Sequence, residues 1–134
     1  MDLRKTLAIH AVISLVLGIT IYYLFRMSVI LLAWVPGNAV LANISFPGDS
    51  IIRFYLPDFL WCYALCFSLF CIYLPSFKRA PIYSLVGVVY GCIWEYLQYK
   101  GFLSGTADFF DCLAYGVASI TALCIYNKTK RRKS

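Results

Sequence analysis

Charge is scarce in this chain. Of 134 residues, 12 are basic and 6 acidic, while 62% are hydrophobic. A soluble domain carries about a quarter charged residues, so this composition excludes an ordinary water-soluble globule. Histidine is scarcer still, with a single one at His10. That rules out an H-E-x-x-H zinc helix. No serine stands out as a partner for that histidine in nucleophilic catalysis. No glycine-rich nucleotide-binding loop is present. The six cysteines (Cys62, Cys66, Cys71, Cys92, Cys112, Cys124) contain no C-x-x-C pair and none lies near the histidine in sequence. They read as small buried hydrophobes rather than disulfide partners or metal ligands. No metal and no cofactor is expected.

What is present is long uncharged sequence. Leu7 to Phe25 and Phe59 to Phe77 carry no charge, Ala80 to Tyr99 carries only Glu95, and Phe109 to Asn127 carries only Asp111. Each falls within the roughly 17–25 residues that cross a hydrocarbon core. The expected fold is an all-α membrane protein. It is a bundle of four transmembrane helices in one domain over 1–134, with spans near 7–25, 58–75, 81–99 and 108–126. The first segment has a basic start at Arg4 and Lys5. It ends in Tyr22, Tyr23, Leu24, Phe25 and Arg26 without a small-x-small cleavage site, so it reads as a retained span rather than a signal peptide.

The net charge of +6 does not indicate nucleic acid, because the cations lie in short clusters at the ends of the apolar runs. With four spans and a cytoplasmic N-terminus, Arg4, Lys5, Lys78, Arg79 and the tail Lys128, Lys130, Arg131, Arg132 and Lys133 fall inside. Only Arg26, Arg53 and Lys100 fall outside, nine against three. That is the bias of the positive-inside rule, and it places both termini on the cytoplasmic side of the membrane. Tyr22, Tyr23, Tyr99 and Tyr126 read as interfacial anchors. The run Met27 to Gly48 is uncharged but broken by Pro36, Gly37 and Asn38, so we expect a short interfacial helix near Ser28 to Val35 in the first outer loop. A fifth span there, with an outer N-terminus, would put eight cations inside and four outside. Both topologies place the acids on the outer side.

Those acids are the main functional signal, because a carboxylate within a bilayer is costly unless it faces a partner or a polar cavity. Asp58 follows Pro57 and opens the second span, where helix capping is an alternative explanation. Glu95 lies about one turn inside the third span, with Gln98 at i+3. The face Gly87-x3-Gly91-x3-Glu95 is a small-residue stripe suited to close helix approach. Gly101 and Gly105 mark a short turn, Thr106 is the expected N-cap of the fourth span, and Asp108, Asp111, Tyr115 and Ser119 then form a polar stripe. Glu95 and Asp111 fall at similar depth on antiparallel neighbours. Two carboxylates so placed could hold a proton, a cation or a pair of basic side chains, and Arg53 and Lys100 are the counter-charges at hand. Asp58, Glu95, Gln98, Asp108, Asp111 and Tyr115 are therefore the candidate lining of an outward-facing polar pocket. His10 lies near the opposite end and reads as a packed polar residue.

The stretch Trp94-Glu95-Tyr96-Leu97-Gln98, the glycine-containing turn, and Gly105-Thr106-Ala107-Asp108-Phe109-Phe110-Asp111-Cys112-Leu113-Ala114-Tyr115-Gly116 resembles the VanZ-like family of small bacterial membrane proteins. That family has an E-x-x-Q element, a turn and a D-x-x-A-N-like start to its last helix. Leu56-Pro57-Asp58-Phe59-Leu60-Trp61 resembles a further segment of its relatives. The resemblance covers Arg53 to about Ser119, roughly half the chain. Tyr115 stands where many members have Asn, and the turn carries Lys100 but not their Arg. The resemblance implies a cell-envelope protein of the bacterial inner membrane, linked to tolerance of the glycopeptide teicoplanin. Its expected partners are the lipid bilayer and a lipid-linked envelope precursor or glycopeptide, with no nucleic acid. Two other readings stay open: an enzyme on lipid-linked precursors that uses paired carboxylates, and a non-catalytic assembly partner in a membrane-protein complex.

Overall fold

The structure, a computed structural model, describes residues 2–25 and 45–133. Among them are four long helices and no strand: α1 (Leu3–Phe25), α2 (Leu56–Tyr73), α3 (Ala80–Tyr99) and α4 (Phe109–Lys133). Each, α2 together with the helical residues from Ile51 that lead into it, is long and apolar enough to cross a membrane, and the chain is a multi-pass membrane protein. The interfacial helix expected near 28–35, and the body of the alternative fifth span, lie outside the described residues.

The second span begins earlier than the sequence indicates. Instead of opening at Asp58, it is led by a π-helical turn, Ile51–Tyr55, that runs directly into α2. The cause is Pro57. Proline has no N–H to donate, and its ring crowds the carbonyl four residues back. A widened turn upstream relieves this, and the Leu56 N–H bonds Ile51 O, five residues back. Asp58 therefore lies in the first turn of α2 without starting the helix. At the other end Leu74 adopts the left-handed conformation (φ 43°, ψ 52°), its N–H still bonded to Phe70 O at 3.0 Å. Pro75 then prevents continuation. Pro81 lies in the first turn of α3, where its missing N–H has no helical partner to lose.

α2 is the centre of the bundle and touches each of the other three helices. α1 packs mainly on α2, and α3 and α4 lie side by side. The core is built from Cys66, Phe67 and Phe70 of α2, Leu7 of α1, and Ala118, Ala122 and Tyr126 of α4. The face that α3 presents to this core consists of small residues, Ala80, Ser84, Gly87 and Gly91, and ends in Glu95. The expected glycine stripe is thus the packing face. A Cβ on Gly87 would lie 3.0 Å from the sulfurs of both Cys62 and Cys66. These two cysteines fill the groove opposite the stripe, and all six are free thiols. His10 is packed as expected, its ring stacked 4.6 Å from Phe67 and its Nδ1 3.0 Å from the Tyr63 hydroxyl.

Tyr126 is not an interfacial anchor. It is fully buried, stacks on Phe70 at 4.4 Å, and donates its hydroxyl to Pro75 O at 2.6 Å. The reason is that α4 runs on to Lys133, about two turns past the expected end of the span. Position 126 therefore lies against the α2–α3 turn. Tyr126→Phe is expected to cost about 1 kcal/mol, one buried hydrogen bond, in thermal unfolding of the detergent-solubilised protein. The loss is limited because Lys130 Nζ also donates to Pro75 O.

Candidate functional site

The acids converge where α2, α3 and α4 meet, next to the α3–α4 turn. That turn is shaped first by α3. Gly101 takes the left-handed position (φ 73°) just past the helix, its N–H bonded to Gln98 O and the Phe102 N–H bonded to Leu97 O, both at 2.9 Å. This is a Schellman closure, which glycine adopts without the penalty a Cβ carries. Gln98 does not point among the acids. Its Nε2 donates to Ser104 O at 3.2 Å, and its amide packs over Gly105. Gln98 thus holds the turn in place.

α4 is capped by Asp108. Its Oδ1 accepts the Phe110 N–H at 2.9 Å and its carbonyl accepts the Asp111 N–H at 3.2 Å. The expected cap, Thr106, lies two residues too early and is exposed. Asp108 prevails because the turn offers its backbone N–H to Glu95 Oε2 at 3.1 Å. In a capping box, a glutamate of the same helix reaches back to the cap residue's N–H. Here the glutamate comes from the neighbouring helix. Asp108→Ala is expected to cost about 1 kcal/mol of stability, the usual worth of an N-cap, measured by chemical unfolding in detergent micelles.

Glu95 is the buried member of the group, only 7% exposed. Its second oxygen, Oε1, accepts the Tyr115 hydroxyl at 3.2 Å, and the same hydroxyl lies 3.4 Å from Asp58 Oδ1. One phenol on α4 therefore stands between a carboxylate of α3 and a carboxylate of α2. Tyr115 is held there by Gly91, since a Cβ at that position would fall 2.6 Å from its Cε2 and 2.7 Å from its Cγ. The glycine stripe thus leads directly into the acidic cluster. Asp111 is half-buried one turn before Tyr115, close enough to act electrostatically on the hydroxyls of both Tyr115 and Tyr55.

Of the expected lining, Asp58, Glu95, Asp108, Asp111 and Tyr115 are brought together, and Gln98 is directed to the turn. Of the expected counter-charges, Arg53 Nε lies 3.6 Å from Asp49 Oδ2, with its guanidinium 5.1 Å above the Phe25 ring. Lys100 Nζ lies over the rings of Tyr96 (5.7 Å) and Tyr99 (5.6 Å) on the exposed side of α3. The sequence reading missed Tyr55, whose hydroxyl donates to Asp108 Oδ2 at 3.2 Å. It precedes Asp58 by three positions, so a helix continued upstream through Pro57 would have placed it on the same side.

The arrangement is a packed node with half-exposed carboxylates at its rim. Two grooves lie elsewhere and are apolar. One, of about 270 Å³, runs between α1 and α2 beside Trp61 and Ser68; the other, of about 480 Å³, runs beside His10 and Tyr63. Among the described residues no group of three or more His, Cys, Asp or Glu side chains is arranged to hold a metal ion. The node can concentrate negative charge, accept hydrogen bonds from a cationic group at its rim, and pass a proton between carboxylates through one phenol. No protein-family model, no curated protein and no solved structure matches the chain.

Proposed function

We propose that this chain is a cell-envelope protein of the bacterial cytoplasmic membrane, of the VanZ-like type, with both termini cytoplasmic and the acidic node facing outward. The node engages a cationic or lipid-linked envelope ligand at its half-exposed rim, and teicoplanin tolerance is one outward consequence. The observation that carries this reading is the Tyr115 hydroxyl held between Glu95 and Asp58. Three helices direct negative charge to one end of the bundle, where a cationic group at the rim would offset it. The distribution of cations, nine at the opposite end and three at this one in the four-span topology, supports the outward orientation. Tyr115 is also where the chain departs from the family's usual Asn, so the ligand preference belongs to this chain rather than to the family at large.

One observation favours a second reading. Glu95 Oε2 accepts the Asp108 N–H, so the acid also ties α3 to α4, as it would in a non-catalytic assembly partner. Comparing strains that lack the protein, carry the wild type, or carry Glu95→Gln with Asp111→Asn separates the two. Each is assayed for teicoplanin susceptibility and for membrane abundance of the protein. The ligand-binding reading predicts an abundant double variant that behaves like the deletion. A variant that vanishes from the membrane supports the assembly reading. An abundant variant that behaves like the wild type overturns the role in envelope tolerance.

A further inference from the structure

The opposite end of the bundle gathers cations from three separate parts of the chain into one surface. Lys133 of α4 donates to Asp2 O at 3.4 Å and to the Thr6 hydroxyl, which fixes the end of α4 against the first turn of α1. Lys130 donates to Leu74 O at 3.5 Å and to Pro75 O, the latter shared with the Tyr126 hydroxyl, just past the end of α2. Its Nζ also lies 5.3 Å from the Phe77 ring centroid. Lys130, half-buried, and Lys133, exposed, lie three positions apart on one face of α4 and tie it to these neighbours. The other face carries Lys128, Arg131 and Arg132, all exposed. Around them stand the exposed pairs Arg4–Lys5 of α1 and Lys78–Arg79 of the α2–α3 turn. Asp2 is the one acid at this end among the described residues.

We propose that this end is a structured platform for the phosphate groups of anionic phospholipids in the leaflet that it adjoins. It lies at the ends of four helices apolar enough to cross a membrane, so lipid headgroups surround it at the depth of its cations. Two features distinguish it from a solvated tail. The cations are carried on helix ends and a turn joined by Lys130 and Lys133. They are also flanked by exposed apolar groups, Tyr73 at 59% and Phe77 at 43%, with the Arg131 guanidinium 5.8 Å from the Phe77 ring centroid. Aromatic side chains beside basic ones are the usual anchors of the headgroup region. Cations near an anionic leaflet add about 1 kcal/mol of attraction apiece, so removing several should weaken lipid association many-fold.

The test is a thermal-shift titration of the full chain in neutral detergent with phosphatidylglycerol, phosphatidylcholine, inorganic phosphate and a short RNA. The platform predicts a rise in Tm with phosphatidylglycerol alone. In the variant Lys78→Gln, Arg79→Gln, Arg131→Gln, Arg132→Gln the midpoint should move at least about tenfold to higher lipid concentration. Arg131→Lys with Arg132→Lys should keep the response, which holds the test open if the quadruple variant fails to fold. An equal response to phosphatidylcholine, inorganic phosphate or RNA overturns the proposal. So does a wild-type response in the quadruple variant, or a lost response in the charge-preserving one.

Discussion

Glu95→Ala is expected to destabilise the protein by about 3 kcal/mol, while Glu95→Gln should stay within about 0.5 kcal/mol of the wild type. Alanine removes both acceptors of a buried side chain at once. It strands the Asp108 N–H at the start of α4 and the Tyr115 hydroxyl between the helices. Interhelical hydrogen bonds in membranes are worth about 0.6 kcal/mol on average and up to about 1.7, and the cavity left by the side chain adds to the two lost bonds. Glutamine can keep the same connections. Its amide oxygen takes the Asp108 N–H and its amide N–H donates to Tyr115 Oη, whose own proton then turns to Asp58. Glu95→Gln therefore removes one negative charge and leaves the node satisfied. Circular dichroism melts in detergent separate the two variants. If Gln is as damaging as Ala, the charge of Glu95 holds the helices together and its role is structural.

Gly91→Ala is expected to cost about 2–3 kcal/mol, the upper part of the range for overpacking a tight contact. The added methyl would overlap the Tyr115 ring. That ring cannot shift without lengthening its hydroxyl's contacts to Glu95 and Asp58, so the substitution damages packing and node together. Two other glycines serve as comparisons. Gly87→Ala meets the sulfurs of Cys62 and Cys66 at 3.0 Å, with the Cys62 carbonyl at an ordinary 3.6 Å, and should cost less, because a small thiol shift relieves it. A methyl on Gly116 meets nothing within 4 Å, so Gly116→Ala should leave stability unchanged or raise it by up to about 1 kcal/mol through helix propensity. Chemical unfolding of the three variants in the same micelle measures the order. Equal effects at Gly91 and Gly116 would mean that α3 and α4 do not approach as closely as described.

The four spans found among the described residues, the glycine stripe and the gathering of acids at one end were legible because each depends on local composition or on i, i+4 spacing. Gly87, Gly91 and Glu95 share a face on any α-helix, and Glu95 without a nearby cation cannot be placed against lipid. Three features were not legible, and each depends on a partner remote in sequence. Asp108 rather than Thr106 caps α4, because Glu95 on another helix accepts its N–H. Tyr55 reaches Asp108 because a π-turn carries the helix past Pro57, where the lost hydrogen bond and the ring clash argue for a boundary. Tyr126 has the composition of an interfacial residue and is instead core, because the carbonyl that it needs comes from Pro75, 51 positions away.

Fold and candidate site are one object, joined at the Tyr115 hydroxyl. The most direct measurement is a double-mutant cycle between Glu95→Ala and Tyr115→Phe, read as unfolding free energies in one detergent. Residues that share a hydrogen bond couple, whereas independent sites add within about 0.3–0.5 kcal/mol. A coupling of about 1 kcal/mol is expected, with the double variant less destabilised than the sum of the single ones. Strict additivity would contradict it, because α3 and α4 would then not be joined through this pair.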